Sequence, residues 1–207
     1  MIINKSNIHN IWFTSDTHIG HDNILNLGEG RPFNSLNHMS STIRDKWNNT
    51  VEPTDTIFVM GDIAMGNFEQ SIQFFTNLPG NKLMIAGNHD KIFSGTNTKT
   101  RIERFTPLYE EVGFTILPEN TSVTFVTDVG EKEVLLSHFP YGEEWLGDNK
   151  DKFLKNRPVD TGLPLVHGHS HQRTKFESGP RQFSIGVDAN EFTPVSAVEI
   201  LRWIEQL

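Results

Sequence analysis

The sequence predicts an α/β fold, and three observations carry that reading. Five uninterrupted apolar runs of strand length lie at 11–13, 57–60, 83–86, 134–136 and 163–166, as expected of strands covered on both faces. Segments long enough for crossover helices stand between them, at 37–48 and 68–76, which is the βαβ rhythm. Beyond residue 120 the pattern turns to extended stretches joined by turn residues, so a second sheet with antiparallel pairing is expected.

Taken in order, Gly20-His21-Asp22-Asn23 reads as the start of a helix, because Asp22 and Asn23 are good caps. Stretches 92–106 and 141–162, the latter with Trp145 and Pro158, have weak periodicity and read as loops or caps that would rim a site. A hairpin joins 121–126 to 133–136 across Asp128-Val129-Gly130, and a second joins 173–176 to 182–187 across Ser178-Gly179-Pro180. The last segment, 197–207, has apolar residues at Val198, Leu201 and Ile204 behind a Ser196/Glu199 capping box, so a packed amphipathic helix is expected. No linker or repeat divides the 207 residues, and 1–207 reads as one domain.

Composition narrows the chemistry. With no cysteine, disulfides, thiolate metal sites and cysteine nucleophiles are excluded, so a metal would need histidine, carboxylate, amide oxygen or water. The opening Met1-Ile2-Ile3-Asn4-Lys5 lacks the basic and apolar regions of a signal peptide, and no run reaches membrane-spanning length. A cytoplasmic protein without a membrane partner is expected. The net charge is −8 and the 18 lysines and arginines are scattered, which argues against extended nucleic acid as a partner. A small anionic substrate stays open, since bound divalent cations reverse the local field.

Each apolar run ends in a residue able to bind a metal, and together they supply Asp16, His18, Asp62, Asn88, His138, His169 and His171. In layered α/β folds ligands sit beyond the carboxyl ends of strands, where such residues would converge. In extended backbone, Asp16 and His18 would point to one side. Alone, Asp16-Thr17-His18 and Gly61-Asp62 are ordinary turns. Gly87-Asn88-His89-Asp90 exceeds what a turn requires, and Gly168-His169-Ser170-His171 sets two imidazoles on alternate positions.

In order, these motifs, with Ser137-His138 between the last two, resemble the full signature of the calcineurin-like metallophosphoesterases. The resemblance runs from Asp16 to His171, about three quarters of the chain. It implies two packed mixed β-sheets flanked by helices, with a dinuclear metal site at the strand C-terminal ends. It also implies that Asp16, His18, Asp62 and His171 hold one metal, and that Asp62, Asn88, His138 and His169 hold the other, with Asp62 bridging. Nitrogen, carboxylate and amide donors suit Mn²⁺, Fe or Zn²⁺ without choosing among them; Mn²⁺ is the first expectation, with Fe, Zn²⁺ or Ni²⁺ as alternatives. Neutral Asn88 keeps the centre net positive and attractive to a phosphate oxygen.

The activity implied is hydrolysis of small phosphomonoesters or phosphodiesters, nucleotides among them, by a metal-bridging hydroxide. In the resemblance His89 serves the leaving oxygen, and Asp90 is expected to fix its tautomer and keep it charged. Arg31 is a candidate phosphate clamp and His21 a candidate substrate contact. His9 and His38 read as exposed, and His167 as packed beside the ligand loop. Competing readings are a nuclease or dinucleotide pyrophosphohydrolase, a site with a single structural metal, and a catalytically silent binding module.

Overall fold

Ile57, Phe58, Val59 and Met60 are all buried, but toward different neighbours. Phe58 and Met60 face one hydrophobic cluster and Ile57 and Val59 another, the alternation a strand imposes. In the computed structural model, which describes residues 1–28, 30–142 and 151–207, this run forms the third strand of ten. The strands are β1 (Ile2–Ile3), β2 (Ile11–Thr14), β3 (Thr56–Val59), β4 (Asn81–Met84), β5 (Phe114–Ile116), β6 (Asn120–Thr127), β7 (Gly130–Ser137), β8 (Leu165–His167), β9 (Gln182–Ser184) and β10 (Val195–Ser196).

One sheet has the order β10-β2-β3-β4-β5 and the other β1-β6-β7-β8-β9. In the first, β2 to β5 run parallel, with Ile11 opposite Thr56 and Thr56 opposite Asn81, and only β10 is antiparallel. In the second, β6 and β7 form the expected hairpin, while β7, β8 and β9 run parallel. Two mixed sheets result, packed through Phe13, Phe58, Met60 and Ile85 on one side and Val123, Phe125, Leu136 and Val166 on the other. The Phe13 and Phe58 rings stack with centroids 5.0 Å apart, fixing neighbouring strands from within the layer.

The other face of the first sheet is covered by helices. The first, α1 (Leu36–Asn48), buries Met39, Ile43 and Trp47, and the Ser35 hydroxyl caps it by accepting from the His38 amide. Segment 68–76 becomes a short helix, α2 (Phe68–Ser71), running into a 3₁₀ turn over Ile72–Phe75. The terminal helix α4 (Ala197–Ile204) packs instead into the cluster between the sheets, burying Ala197, Ile200, Trp203 and Ile204, while Val198 and Leu201 are only partly covered. The buried stripe is therefore turned relative to the expected one, because Trp203 seats against Phe183. Only half of the capping box forms: Ser196 accepts from the Glu199 amide, but the Glu199 carboxylate goes to Lys175.

Three other expectations are corrected. Residues 173–176 form no strand, because the Glu177 carboxylate accepts from the Arg173 and Thr174 amides and curls the chain into a turn. β9 pairs in parallel with β8 instead. After Gly20 there is no helix beyond a 3₁₀ turn at Ile24–Asn26, whose preceding Asn23 makes no side-chain cap. Stretch 92–106 is only partly a loop, since α3 (Lys99–Glu111) begins within it, capped by Thr98 and anchored by buried Tyr109 beyond its end. Trp145 lies outside the described residues. Among the described residues no helix is long and apolar enough to cross a membrane.

Candidate metal centre

The loops that leave β2, β3 and β4 meet those that leave β7 and β8. Backbone hydrogen bonds lash them together: Asp16 N–H to Gly61 O at 3.0 Å, His18 N–H to Asp62 O at 3.0 Å, and Gly168 N–H to His138 O at 3.0 Å. Two donor groups form. Ligand atoms of Asp16, His18 and His171 lie within 4.8 Å of one another, and so do those of Asp62, His138 and His169. Asp62 Oδ2 is 3.6 Å from His18 Nε2 and 3.5 Å from His138 Nε2, so it faces both groups. Asn88 Oδ1 is 3.0 Å from His138 Nε2, which places the amide with the second group.

The extended conformation expected for the first pair is not what the chain adopts. Asp16, His18, Asp62, His169 and His171 all have positive φ, between 46° and 70°. In both paired motifs a left-handed residue precedes and follows the middle one, which turns two side chains to one point where a strand would carry them past it. The conformation costs roughly 1–2 kcal/mol per non-glycine residue, and strain of this kind gathers where surrounding structure enforces a functional geometry. Thr17, between Asp16 and His18, helps enforce it by donating its hydroxyl to Ile63 O.

The motif glycines are set by close approach. A Cβ on Gly87 would stand 2.4 Å from Asp62 Oδ1 and 2.7 Å from the Asp62 nitrogen, and one on Gly168 would stand 2.4 Å from Asp16 Oδ2. Gly87→Ala must therefore displace the Asp62 loop. Since a misplacement near 1 Å can lower turnover about 10²-fold, that loss is expected with circular dichroism unchanged; wild-type turnover from Gly87→Ala would show that the loops give way freely.

Whether these residues fit metal ions can be read from their unmet needs. Asp16 Oδ1 and His18 Nε2 are buried with no hydrogen-bond partner, a costly state that a cation would relieve. The outer nitrogens are already assigned: His138 Nδ1 lies 2.7 Å from Met60 O, and His171 Nδ1 lies 2.8 Å from Asp188 Oδ2. Each leaves Nε2 facing the centre, the arrangement that fixes a ligand imidazole. Burial, with neighbouring His171 and Arg31, holds His18 well below the usual imidazole range and keeps it a neutral donor. Burial, then the charges of Asp90 and Asp16, pushes Asp62 well above the usual carboxylate range. Crowded carboxylates and imidazole nitrogens suit divalent cations, so the residues fit.

The remaining expected site residues divide. His89 donates its backbone N–H to Asp62 Oδ1 at 2.8 Å, and its half-exposed ring has Nε2 3.9 Å from Asp62 Oδ2. Burial and the neighbouring imidazoles lower its pKa to about 4, so at neutral pH it offers an uncharged N–H. Asp90 does not touch that ring. Its Oδ2 accepts from the Asp62 and Gly87 amides, and Oδ1 from the Ile63 amide and the Tyr109 hydroxyl. The expected tautomer-fixing role is thus corrected: a fully buried carboxylate ringed by amides ties the β3 and β4 loops together.

The clamp expectation for Arg31 is corrected too. Its guanidinium is buried and already engaged, by Asp188 through Nε and Nη2, by Thr17 O through Nη1 and by Asp16 O through Nη2. It holds the loop that presents Asp16 and His18. His21 sits beside the site, its ring 5.4 Å from that of His18 and 6.4 Å from that of His89. His9 and His38 are exposed, and His167 is buried with Nδ1 2.8 Å from Gly168 O. Asp188 is the residue that reading by strand runs missed. Its signal is the extended stretch Phe183-Ser184-Ile185, followed by Gly186-Val187-Asp188.

A family model described as calcineurin-like phosphoesterase matches residues 9–173. The chain belongs to that family. Its relatives include the Gene 66 protein of Mycobacterium phage D29, 32% identical over 95% of this chain and 98% of that one. The Gene 66 protein of Mycobacterium phage L5 is 30% identical over 87% of each. A protein of unknown function from Aquifex aeolicus shares the fold, with a TM-score of 0.63 at 22% identity, covering 93% of this chain and 97% of its own. As a calcineurin-like phosphoesterase the chain is a metal-dependent hydrolase acting on phosphoesters.

Proposed function

We propose that this calcineurin-like phosphoesterase holds two divalent ions, Mn²⁺ first among them, and hydrolyses small phosphomonoesters or phosphodiesters without a covalent intermediate. The observation that carries the reading is Asp62 Oδ2, set about equally far from a nitrogen of each donor group. Asp16, His18, Asp62 and His171 would hold one ion, and Asp62, Asn88, His138 and His169 the other. When bound, such a pair supplies positive charge for phosphate oxygens and lowers the pKa of a water that becomes the nucleophile. Asn88, being neutral, leaves that charge uncancelled. His89, uncharged and half-exposed at the lip, donates a hydrogen bond to the leaving oxygen as the P–O bond breaks. Asp90 and Arg31 keep the loops in register.

Purified protein stripped with EDTA is expected to lose activity toward chromogenic monoester, diester and nucleotide substrates and to regain it with Mn²⁺. Zn²⁺, Ni²⁺ and Fe²⁺ in the same assay rank the alternatives. Hydrolysis that continues undiminished in EDTA would refute the reading.

A further inference from the structure

Two cavities flank the metal centre, and their walls differ in charge. The smaller, about 310 Å³, is lined by Glu177 and Asp188 as well as by Arg31 and Arg173, whose guanidinium groups are both engaged. The larger, about 760 Å³, begins at Asn88 and His89 and is walled by Lys91, Arg101, Arg104 and Phe105. Among the described residues its only acidic lining residue, Asp90, is itself buried under backbone amides. Arg101 and Arg104, one turn apart on α3, hold their guanidinium carbons 5.4 Å from the Phe105 ring centroid, and Lys91 Nζ stands 6.0 Å from that of Phe68.

None of these three cations pairs with a carboxylate among the described residues, whereas Arg31, Arg157, Arg181 and Lys175 all do. On a chain of net charge −8, three uncompensated cations in one concavity focus a positive field where the rest of the surface repels anions. The first turn of α3 lines the same wall and adds the positive end of its dipole. The wall is also held in shape, because the Asn97 amide donates to Asp90 O and Phe93 O and the Thr98 hydroxyl accepts from the Arg101 amide.

His89 joins the two regions: its ring lines the cavity and its Nε2 is 3.9 Å from Asp62 Oδ2. A leaving group that passes His89 enters this cavity. We propose that the cavity is a second-anion subsite, and that the substrate is a small phosphoester whose leaving group carries a further phosphate, gripped by Lys91, Arg101 and Arg104. A phosphate dianion matches three cations better than a carboxylate does, and the guanidinium fork fits its oxygens. This rests on the hydrolase reading above. In the step, water adds to the scissile phosphorus, the P–O bond to the leaving oxygen breaks, and that oxygen takes the proton. The products are inorganic phosphate and a hydroxyl compound that keeps the second phosphate.

The test uses ethanediol, propanediol, butanediol and hexanediol bisphosphates against the matching alkyl monophosphates, with the Mn²⁺-loaded enzyme. Because hydrogen bonds to charged groups are among the strong ones, wild type is expected to prefer the bisphosphate of best length by about tenfold or more in kcat/KM. In Arg101→Ala/Arg104→Ala that preference should fall to near one. Arg101→Lys/Arg104→Lys should keep part of it, and the control Arg44→Ala/Arg202→Ala, which removes the same charge elsewhere on the surface, should keep all of it. A second readout is independent of turnover: calorimetric titration of the EDTA-treated protein with propanediphosphonate, whose binding should weaken at least about tenfold in the alanine pair. Equal use of mono- and bisphosphates, or an equal loss in the control, overturns the subsite while leaving the hydrolase reading intact. Binding that depends on Arg101 and Arg104 in a protein that hydrolyses nothing would sink the hydrolase reading and keep the anion site.

Discussion

Asp62→Asn is expected to lower turnover by more than the roughly 100-fold typical of losing a partner outside the ligand set, and to reduce bound metal from two ions per chain to one or fewer. The substitution is nearly isosteric, and the amide oxygen can still accept from the His89 N–H that Asp62 Oδ1 now receives at 2.8 Å. What it removes is charge at the one oxygen that faces both donor groups, 3.6 Å from His18 Nε2 and 3.5 Å from His138 Nε2. A neutral amide has a single oxygen and cannot serve two cations while accepting that bond. Metal analysis and steady-state kinetics of the same preparation check the expectation. Near-normal activity with two ions bound would show that Asp62 does not bridge.

The same substitution should have the opposite sign on the metal-free fold. Burial and the neighbouring Asp90 and Asp16 raise the Asp62 carboxyl well above its unfolded value. A carboxyl raised on folding opposes the folded state once the pH exceeds its unfolded pKa, so at neutral pH the metal-free protein bears a penalty that asparagine removes. EDTA-treated Asp62→Asn is therefore expected to melt at or above the wild-type temperature, and to lose most of the rise that Mn²⁺ gives wild type. A metal centre built from crowded carboxylates and left-handed backbone costs stability until its cations arrive.

Much of this was legible in the chain itself. The runs at 57–60 and 83–86 announced strands because both faces of a central parallel strand are apolar, although β4 sits two residues earlier than its run, at Asn81–Met84. The β6–β7 hairpin was legible because its turn is local. The pairing of β9 was not, although 182–187 read as extended: its partner β8 lies across an intervening loop, and nothing local separates a parallel crossover from a hairpin when turn residues precede both. Within the site, the convergence of Asp16, His18 and His171, and of Asp62, His138 and His169, followed from residue type and order. Ligand conformation did not, since no pattern in Asp16-Thr17-His18 distinguishes an extended pair from the left-handed one found. The roles of Arg31 and Asp90 failed for a shared reason. Charged residues near an anion site invite a substrate role, yet both are buried and answer to backbone groups that only the fold brings near.

Arg31→Met tests the role the structure gives Arg31. Arg31 and Asp188 form a buried pair at 2.8 Å, and Asp188 also meets His171 Nδ1 at 2.8 Å. Removing one partner of a buried pair leaves the other uncompensated and costs about 3–5 kcal/mol; at roughly 2–4 °C per kcal/mol for a chain of this size, melting should fall by roughly 6–20 °C. Metal affinity should fall too, by about 10–100-fold, because the Asp16 and Thr17 carbonyls lose their anchor and Asp188 loses the guanidinium that steadies it against His171. The double substitution Arg31→Met/Asp188→Leu separates the two effects. With both charges gone, much of the lost melting temperature should return, since apolar replacement of a whole buried pair is often neutral. Metal affinity should not return, because His171 would still lack the carboxylate that orients it. If the double variant recovered both together, the pair would matter for folding alone; if the single variant lost neither, the anchoring assigned to Arg31 would be wrong.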